Sequence, residues 1–261
     1  MACGSDSSSN PDLSFSTENS SAGTNSSAAN SNNDKPSSSS STVRATSSSS
    51  FSKALFLNEN ISYGEITDER DGRVYRTTTI GSQTWMAENL NFKTENGRCL
   101  HRVTENCENY GTVYTWGDAI DSIAEFSDNG KGCGYIGFHG TAPCEITYPA
   151  RGICPQGWHL PSTEEFSTLF EAVGGQEVAG KMLKSKTEWY SGIGLDSFGF
   201  TARPADNFYD YSPSTVLRTK TGFWSSNNSR AVVISFEYKQ DRVFVGEQDN
   251  RSVWYIRCLK D

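Results

Sequence analysis

The sequence contains no cluster or stripe of basic residues, although 23 of its 261 residues are Lys or Arg. Proteins that bind nucleic acid neutralise phosphates with grouped basic side chains, so we expect no nucleic-acid partner. The formal net charge of −8 supports the same conclusion. No run approaches the roughly 20 apolar residues that a transmembrane helix needs, so we expect no membrane-spanning helix.

Large apolar residues are scarce in residues 1–50, which are mostly Ser, Asn, Thr and Ala. A segment of this composition cannot bury enough surface to offset its chain entropy, so the sequence predicts a disordered tether there. Residues 51–61 are then a linker that merges into the first strand. Residues 62–261 are long enough to fold around a single core, and we expect that domain to be a monomer.

The start of the chain lacks the charged and apolar parts of a signal peptide. Even so, a small residue before Cys3 and a polar tether after it resemble the end of a bacterial lipoprotein signal. We therefore expect a lipid on Cys3, as the protein's one attachment to a membrane, and a location on the outer face of the outer membrane or outside the cell. The alternative is an incidental cysteine near an exposed terminus.

The sequence has no Cys-x-x-Cys pair, and His101, His139 and His159 lack the spacing of a zinc finger. Structural zinc is therefore not expected, and no cofactor is predicted. An even number of further cysteines in a domain that looks exported favours disulfides, for which 15 pairings are open. These six residues are Cys99, Cys107, Cys133, Cys144, Cys154 and Cys258.

The clearest local pattern begins after Pro161. Ser162 can cap a helix, and Glu165 stands three residues on, where its carboxylate can reach back to the cap's amide. An apolar stripe follows at helical spacing before two glycines end the helix. The stripe consists of Phe166, Leu169, Phe170 and Val173.

Alternating and β-branched segments predict an antiparallel sheet at each end of the domain. The Asp71-Gly72 pair is a strong hairpin signal. We predict short helices over Tyr110–Ile120 and Glu177–Lys186, and a loop over residues 121–153. The predicted strands are Tyr63–Thr67, Val74–Thr79, Thr84–Met86, Phe200–Ala202, Gly222–Ser226, Val232–Tyr238, Arg242–Val245 and Ser252–Leu259.

Several sequence blocks resemble the FISUMP family, the Fibrobacter succinogenes major paralogous domain, and they occur in the family's order. The blocks are Ile80–Asn91, Tyr110–Trp116, Cys154–Ser162 with the following Glu-Glu-Phe, Gly199–Ala205, Gly222–Ser226 and Arg257–Asp261. The resemblance implies an exported α+β domain similar in fold to C-type lectins and to the formylglycine-generating enzymes, with antiparallel sheets, one main helix, one or two short helices and long loops held by disulfides.

Within that fold we favour the disulfide pairs Cys99–Cys107, Cys133–Cys144 and Cys154–Cys258. The first two are local and hold loops that contain few apolar residues. The third would join the start of the main helix to the last strand, as the long-range disulfide of C-type lectin folds does.

The resemblance to C-type lectins also raises the question of calcium. Their calcium site uses paired oxygen donors, whereas the nearest matches in this chain are Arg203–Asp206 and Trp224–Asn227, which lack them. Calcium takes six to eight oxygen ligands, so calcium-dependent sugar binding is not expected at these positions.

The region between Ala202 and Thr221 has no regular pattern, and in C-type-lectin-like folds such a loop binds ligands. Aromatic rings flanked by carboxylates and amides can stack on sugars while bonding their hydroxyl groups. The alternative is that these rings form the loop's own small core. The candidate ligand-binding residues are Trp189, Tyr190, Asp206, Asn207, Phe208, Tyr209, Tyr211, Asn227 and Asn228.

Catalysis is not expected. The formylglycine-generating enzymes use a cysteine pair near the C-terminus, whereas Cys258 is the only cysteine in the last hundred residues. We interpret His159 as a hydrogen-bonding core histidine and Glu165 as a helix cap. The predicted function is therefore non-catalytic binding of an extracellular glycan, such as plant cell-wall polysaccharide. A module that binds or displays another surface protein is the alternative, and an enzyme has the least support.

Overall fold

The computed structural model describes residues 56–134, 145–191, 194–205, 218–227, 230–249 and 252–261. These residues form an α+β fold in which every pair of named strands is antiparallel. Ten short strands lie in three sheets, and the described helices are few and short. The α+β class and the antiparallel sheets are as the sequence predicted.

The largest sheet has five strands in the order β1-β2-β3-β10-β5. Gly72 closes the first hairpin with a φ of +73°, a conformation that glycine adopts without strain, as the Asp-Gly pair predicted. Strand β10 pairs with both β3 and β5, so this sheet joins early and late parts of the sequence. The strands are β1 Gly64–Asp68, β2 Arg73–Ile80, β3 Gln83–Met86, β5 Trp158–His159 and β10 Leu259–Lys260.

A three-stranded sheet and a two-stranded ladder complete the framework. In the order β6-β7-β8, the central strand β7 is buried over five of its six residues because apolar side chains occupy both of its faces. The sheet contains β6 Lys220–Ser225, β7 Val232–Glu237 and β8 Phe244–Glu247, and the ladder contains β4 Tyr114–Thr115 and β9 Val253–Trp254.

The main helix is formed as the sequence predicted. Its cap, Ser162, accepts a hydrogen bond from the Glu165 amide at 3.2 Å, and the Glu165 carboxylate accepts one from the Ser162 amide at 2.8 Å. Phe166, Leu169 and Phe170 are buried along one face. The described α-helices are α1 Thr104–Tyr110, α2 Trp116–Ala119, α3 Thr163–Ala172 and α4 Gln176–Leu183, and a 3-10 turn spans Leu100–Arg102.

The core is strongly aromatic. Trp85 of β3 is fully buried, with ring centroids 5.0 Å from Phe166 of α3 and 5.8 Å from Phe200. Phe223 of β6 lies 5.7 Å from Phe200 in an edge-on arrangement. These contacts pack α3 between the large sheet and the three-stranded sheet, so the start of the helix is held in a defined position at the edge of β5.

Two predicted disulfides are confirmed. Cys99 is bonded to Cys107, and Cys154 is bonded to Cys258 across a sequence separation of 104 residues. Cys133 is also disulfide-bonded. Its predicted partner, Cys144, lies outside the described residues.

Residues before β1 contact the folded domain. The Asn58 side-chain amide donates a hydrogen bond to the Asp196 carbonyl at 2.7 Å. The Phe56 ring centroid lies 3.6 Å from the guanidinium carbon of Arg203. The part of the predicted linker that the structure describes is therefore packed on the domain.

Two predicted segments differ in the structure. Phe200–Ala202 is not a strand, because Thr201 has a φ of +53° and its amide donates to the buried Asp196 carboxylate at 2.7 Å. The predicted helix over Tyr110–Ile120 shortens to α2, because Thr115 and Asp118 form a capping box that starts the helix late.

The remaining differences concern short elements. The predicted strand Ser252–Leu259 divides into β9 and β10, which pair with different partners. Helix α1 was not predicted, since it is polar and buries only Cys107. Its position depends on a disulfide, which helical periodicity does not reveal.

Candidate functional site

The described residues form an open cleft of about 900 Å³. Strand β3, strand β10 and the first turn of α3 form its walls, because β10 pairs with β3 and β5 and α3 starts directly after β5. We call it the His159 cleft. Its lining residues are Ser82, Gln83, Thr84, Tyr148, Pro149, His159, Ser162, Glu164, Glu165, Asn227, Leu259, Lys260 and Asp261.

The base of the cleft is a histidine held between two carboxylates. His159 is only 4% exposed, and its Nδ1 lies 2.7 Å from Asp261 Oδ1. Its Nε2 lies 2.9 Å from Glu165 Oε1. Glu165 belongs to the capping box of α3 and Asp261 follows β10, so the imidazole ring connects three elements.

The two carboxylates determine how this group titrates. Burial opposes protonation of His159, but its hydrogen bonds to Glu165 and Asp261 outweigh burial and raise the pKa of the imidazole. Burial also tends to raise the pKa of Glu165, yet the bonds from His159 and from the Ser162 amide outweigh it, so the pKa of that carboxyl is lowered. The imidazolium–carboxylate form is therefore favoured.

This arrangement limits what His159 can do chemically. A general base needs a ring nitrogen within reach of a substrate proton, and both nitrogens of His159 are already bonded to carboxylates. The prediction of a buried, hydrogen-bonded histidine is confirmed by this geometry. The geometry suits a positioning role, in which the imidazole fixes the two carboxylates at the base of the cleft.

The upper part of the cleft offers one ring and several polar groups. Tyr148 is 45% exposed and lies beside Pro149. The Asn227 side-chain amide donates to Thr163 Oγ1 at 3.3 Å. The Gln83 side-chain amide donates to the Glu165 carbonyl at 3.0 Å, which ties β3 to the first turns of α3.

A second feature is an exposed aromatic patch at the end of β7. Tyr190 is 75% exposed, and its ring meets that of Tyr238 edge-on, with centroids 5.9 Å apart. The neighbouring Trp189 is partly buried against the core, and its indole N–H donates to the Ala202 carbonyl at 3.3 Å. We call Tyr190 and Tyr238 the tyrosine surface.

The structure separates the predicted ligand-binding residues that it describes. Trp189 and Tyr190 lie at the tyrosine surface, where the Tyr190 amide donates to the Arg218 carbonyl just before β6. Asn227 lies just after the other end of β6, in the His159 cleft. The remaining candidates are outside the described residues: Asp206, Asn207, Phe208, Tyr209, Tyr211 and Asn228.

Within the described residues, no group of three or more His, Cys, Asp or Glu side chains is arranged to hold a metal ion. None of the helices seen there is long and apolar enough to cross a membrane. Cys3, the predicted lipid site, lies outside the described residues.

A comparison with known protein families identifies the family of this chain. The model of the Fibrobacter succinogenes major domain matches residues 78–260. The chain belongs to this family. The match spans β3, α3 and β10, so the walls of the His159 cleft are part of the Fibrobacter succinogenes major domain. No curated protein and no solved structure matches the chain.

Sequence reasoning missed most of the cleft in this Fibrobacter succinogenes major domain. Asp261 was noted only as the end of a family block, and Tyr148 lies in a segment without a periodic pattern. A signal was present in the short spacing of His159 and Glu165 around the helix cap. The contribution of Asp261 depends on the pairing of β10 with β5, which a sequence alone does not reveal.

Proposed function

We propose that the chain is a non-catalytic, extracellular module that binds polysaccharide, with the His159 cleft as its saccharide site. The observation that carries this proposal is the half-exposed ring of Tyr148 in the same cleft as amide, hydroxyl and carboxylate side chains. The cleft volume of about 900 Å³ falls within the range of roughly 300–1,000 Å³ of small-molecule sites.

The chemistry of the lining supports a sugar ligand. A sugar ring presents C–H groups that can lie against an aromatic ring, and Tyr148, which is 45% exposed, lines the cleft. Sugar hydroxyl groups both donate and accept hydrogen bonds. Asn227 provides an amide and Glu164 an exposed carboxylate, so both roles can be met.

The state of His159 supports binding over catalysis. Its ring nitrogens are both occupied, and the Glu165 carboxylate is shared between the imidazole and the Ser162 amide. These groups can orient a ligand without exchanging protons with it. The proposed module therefore needs no cofactor and no metal.

An extracellular setting and a C-type-lectin-like fold belong to the same proposal. Disulfides persist in oxidising compartments, and Cys99–Cys107 and Cys154–Cys258 both fit such a location. The long-range disulfide joins Cys154, which precedes β5, to Cys258, which precedes β10, and it resembles the one expected in C-type-lectin-like domains. A lipid on Cys3 and a Ser-rich tether would hold the module at the cell surface.

The proposal is tested with variants of the full chain against insoluble cellulose, xylan and pectin, with and without calcium. Tyr148→Ala should weaken retention about three- to tenfold, because aromatic contacts contribute about 0.5–1.5 kcal/mol. Asn227→Ala should weaken it as well, and chelation of calcium should have no effect. The matched control is Ile123→Ala, which removes an exposed apolar side chain outside the cleft.

Two results would contradict the proposal. If the wild-type chain shows its native near-ultraviolet circular dichroism but none of the three polysaccharides retains it, the saccharide function is wrong. Equal retention of wild type and Tyr148→Ala would instead remove the cleft as the site.

A protein-binding or display module is the second candidate. Ile123 is 79% exposed, and large exposed apolar side chains are typical of surfaces that meet another protein when they form a contiguous patch. The tyrosine surface could serve the same purpose. A folded chain that binds none of the three polysaccharides would favour this candidate.

A further inference from the structure

The tyrosine surface is exposed and at the same time well held. The Tyr190 amide donates to the Arg218 carbonyl at 2.9 Å, and the Tyr238 amide donates to the Thr219 carbonyl at 2.8 Å. Both residues are therefore bonded through their main chains to the segment that enters β6. These bonds fix the main chain from which each ring projects, so little main-chain freedom is lost when a ligand stacks there.

A buried lysine supports the same surface from below. Lys184 is only slightly exposed, and its ammonium donates to the carbonyls of Glu237 at 3.0 Å and Gln240 at 2.9 Å. These carbonyls flank Tyr238 in the turn after β7. The Lys184 ammonium also lies 5.0 Å from the ring centroid of Trp189, which precedes Tyr190. Lys184 thus holds the turn that carries Tyr238 and contacts the ring of the residue before Tyr190.

The tyrosine surface and the His159 cleft lie at opposite ends of β6. Tyr190 is bonded to Arg218, two residues before the strand begins, and Asn227 lines the cleft two residues after it ends. The six strand residues alone extend over roughly 20 Å at about 3.3 Å each, and the residues beyond both ends of the strand add to the separation. A trisaccharide in the cleft is too short to reach the tyrosines, whereas a polymer is long enough to span both places.

We propose that the tyrosine surface is a second saccharide site and that one polysaccharide chain occupies it together with the His159 cleft. This inference rests on the proposed function of the cleft. The chemistry is stacking of a sugar C–H face on the exposed Tyr190 ring, which packs edge-on against Tyr238. The Lys239 ammonium lies 5.2 Å from the centroid of the Tyr238 ring, so Tyr238 supports the site and Tyr190 makes the contact. Linking two sites through one ligand makes the second contact intramolecular and can raise affinity by roughly 10²–10⁴-fold without any new contact.

The proposal makes polymer length the deciding variable. The experiment uses titration calorimetry of the full chain with cellotriose and with soluble hydroxyethyl cellulose, and with xylotriose and xylan as a second pair. The variants are Tyr148→Ala in the cleft, Tyr190→Ala at the tyrosine surface, and both together. Tyr190 is 75% exposed, so its replacement leaves the core untouched.

We expect the wild-type chain to bind two equivalents of the trisaccharide and each single variant to bind one. Polymer affinity should fall at least threefold in either single variant and further in the double variant. The control is Ile123→Ala, which should behave as wild type in every titration.

The outcomes separate this inference from the proposed function. If Tyr148→Ala abolishes trisaccharide binding and Tyr190→Ala changes binding of neither ligand, the second site is wrong and the cleft stands. If both sites bind the trisaccharide but the single variants lose less than threefold in polymer affinity, the sites are independent and simultaneous occupation is overturned. If the wild-type chain binds no saccharide, the proposed function itself is wrong, and the second site is wrong with it.

Discussion

At the scale of single residues, His159 carries the most information. An imidazole between two carboxylates is stabilised when it is charged, and the pKa shifts of His159 and Glu165 point in opposite directions. Folding is therefore linked to pH through both groups. The ring connects the cap of α3, β5 and the residue after β10, so its charge affects how these elements fit together.

The first prediction concerns stability against pH. The raised pKa of His159 contributes stability that is fully present below its ordinary value of 6.5 and is lost as pH rises through the folded value. The lowered pKa of Glu165 contributes stability that is present above its ordinary value of 4.5 and is lost as pH falls through the folded value. The stability that His159 and Glu165 contribute together should therefore be greatest between about pH 4.5 and 6.5.

The measurement is urea unfolding from pH 5 to 9 with disulfides intact. In His159→Gln the unfolding free energy should be lower at pH 6 and should fall less between pH 6.5 and 8.5 than in wild type. The control is His101→Gln, which leaves the bonds of His159 to its carboxylates in place. A wild-type curve that stays flat or rises over that alkaline range would contradict the linkage.

Arg257 shows what a sequence does not reveal at this scale. Its guanidinium is buried, donates to Asn89 Oδ1 at 2.6 Å and to the Thr201 carbonyl at 2.9 Å, and lies between Phe200 and Phe223. The sequence contains this residue only as part of a family block. Its role depends on loop carbonyls that converge from distant positions, and no local pattern records such convergence.

At the scale of elements, α3 was predictable because its signals are local. Cap, carboxylate and apolar stripe all lie within twelve residues, and the structure confirms each of them. Segments whose form depends on distant partners were predicted less well. Phe200–Ala202 has the composition of a strand, yet Asp196 holds Thr201 at a positive φ, and the segment forms an isolated bridge from Ala202 to Lys184 instead of a strand.

The same contrast explains the candidate site. Tyr190 and Asn227 were predicted as ligand-binding residues from their residue types. Their separation by the length of β6 follows from the pairing of that strand with β7, which keeps it extended. The cleft itself is made where β10 inserts between β3 and β5. Non-local pairing of this kind sets which side chains meet, and composition cannot specify it.

The second prediction tests the cap of α3. Ser162→Ala removes the hydroxyl that accepts from the Glu165 amide but leaves the Ser162 amide free to donate to the Glu165 carboxylate. We expect a loss of about 1 kcal/mol in the unfolding free energy, the usual cost of losing such a cap. The matched control is Ser167→Ala in the exposed face of the helix, which should change stability by less than about 0.5 kcal/mol. Equal effects of the two changes would contradict the capping role.

At the scale of the whole molecule, the five-stranded sheet holds the fold together by bringing sequence-distant strands side by side. Strand β10 pairs with β3, about 170 residues earlier, by the register of Leu259 with Trp85. The Cys154–Cys258 disulfide crosses the same junction, next to β5 and β10. Pairings over such distances incur a large loop-closure entropy, and a covalent link reduces the part of it that folding must overcome.

The third prediction compares Cys99–Cys107 with Cys154–Cys258, the two disulfides in which the structure describes both cysteines. On the chain-entropy model, a loop of about 100 residues is worth about 4.7 kcal/mol and a loop of about nine residues about 2.6 kcal/mol. The double variant Cys154→Ala with Cys258→Ala should therefore lose about 2 kcal/mol more than Cys99→Ala with Cys107→Ala. Urea unfolding of both variants at pH 6 measures the difference, and the shorter bridge serves as the matched control.

Because the long bridge also lies beside the His159 cleft, its loss should weaken retention on polysaccharide, whereas loss of the short bridge should not. A larger stability loss for the short bridge would mean that local strain or packing, rather than closure of the long loop, determines what these disulfides contribute.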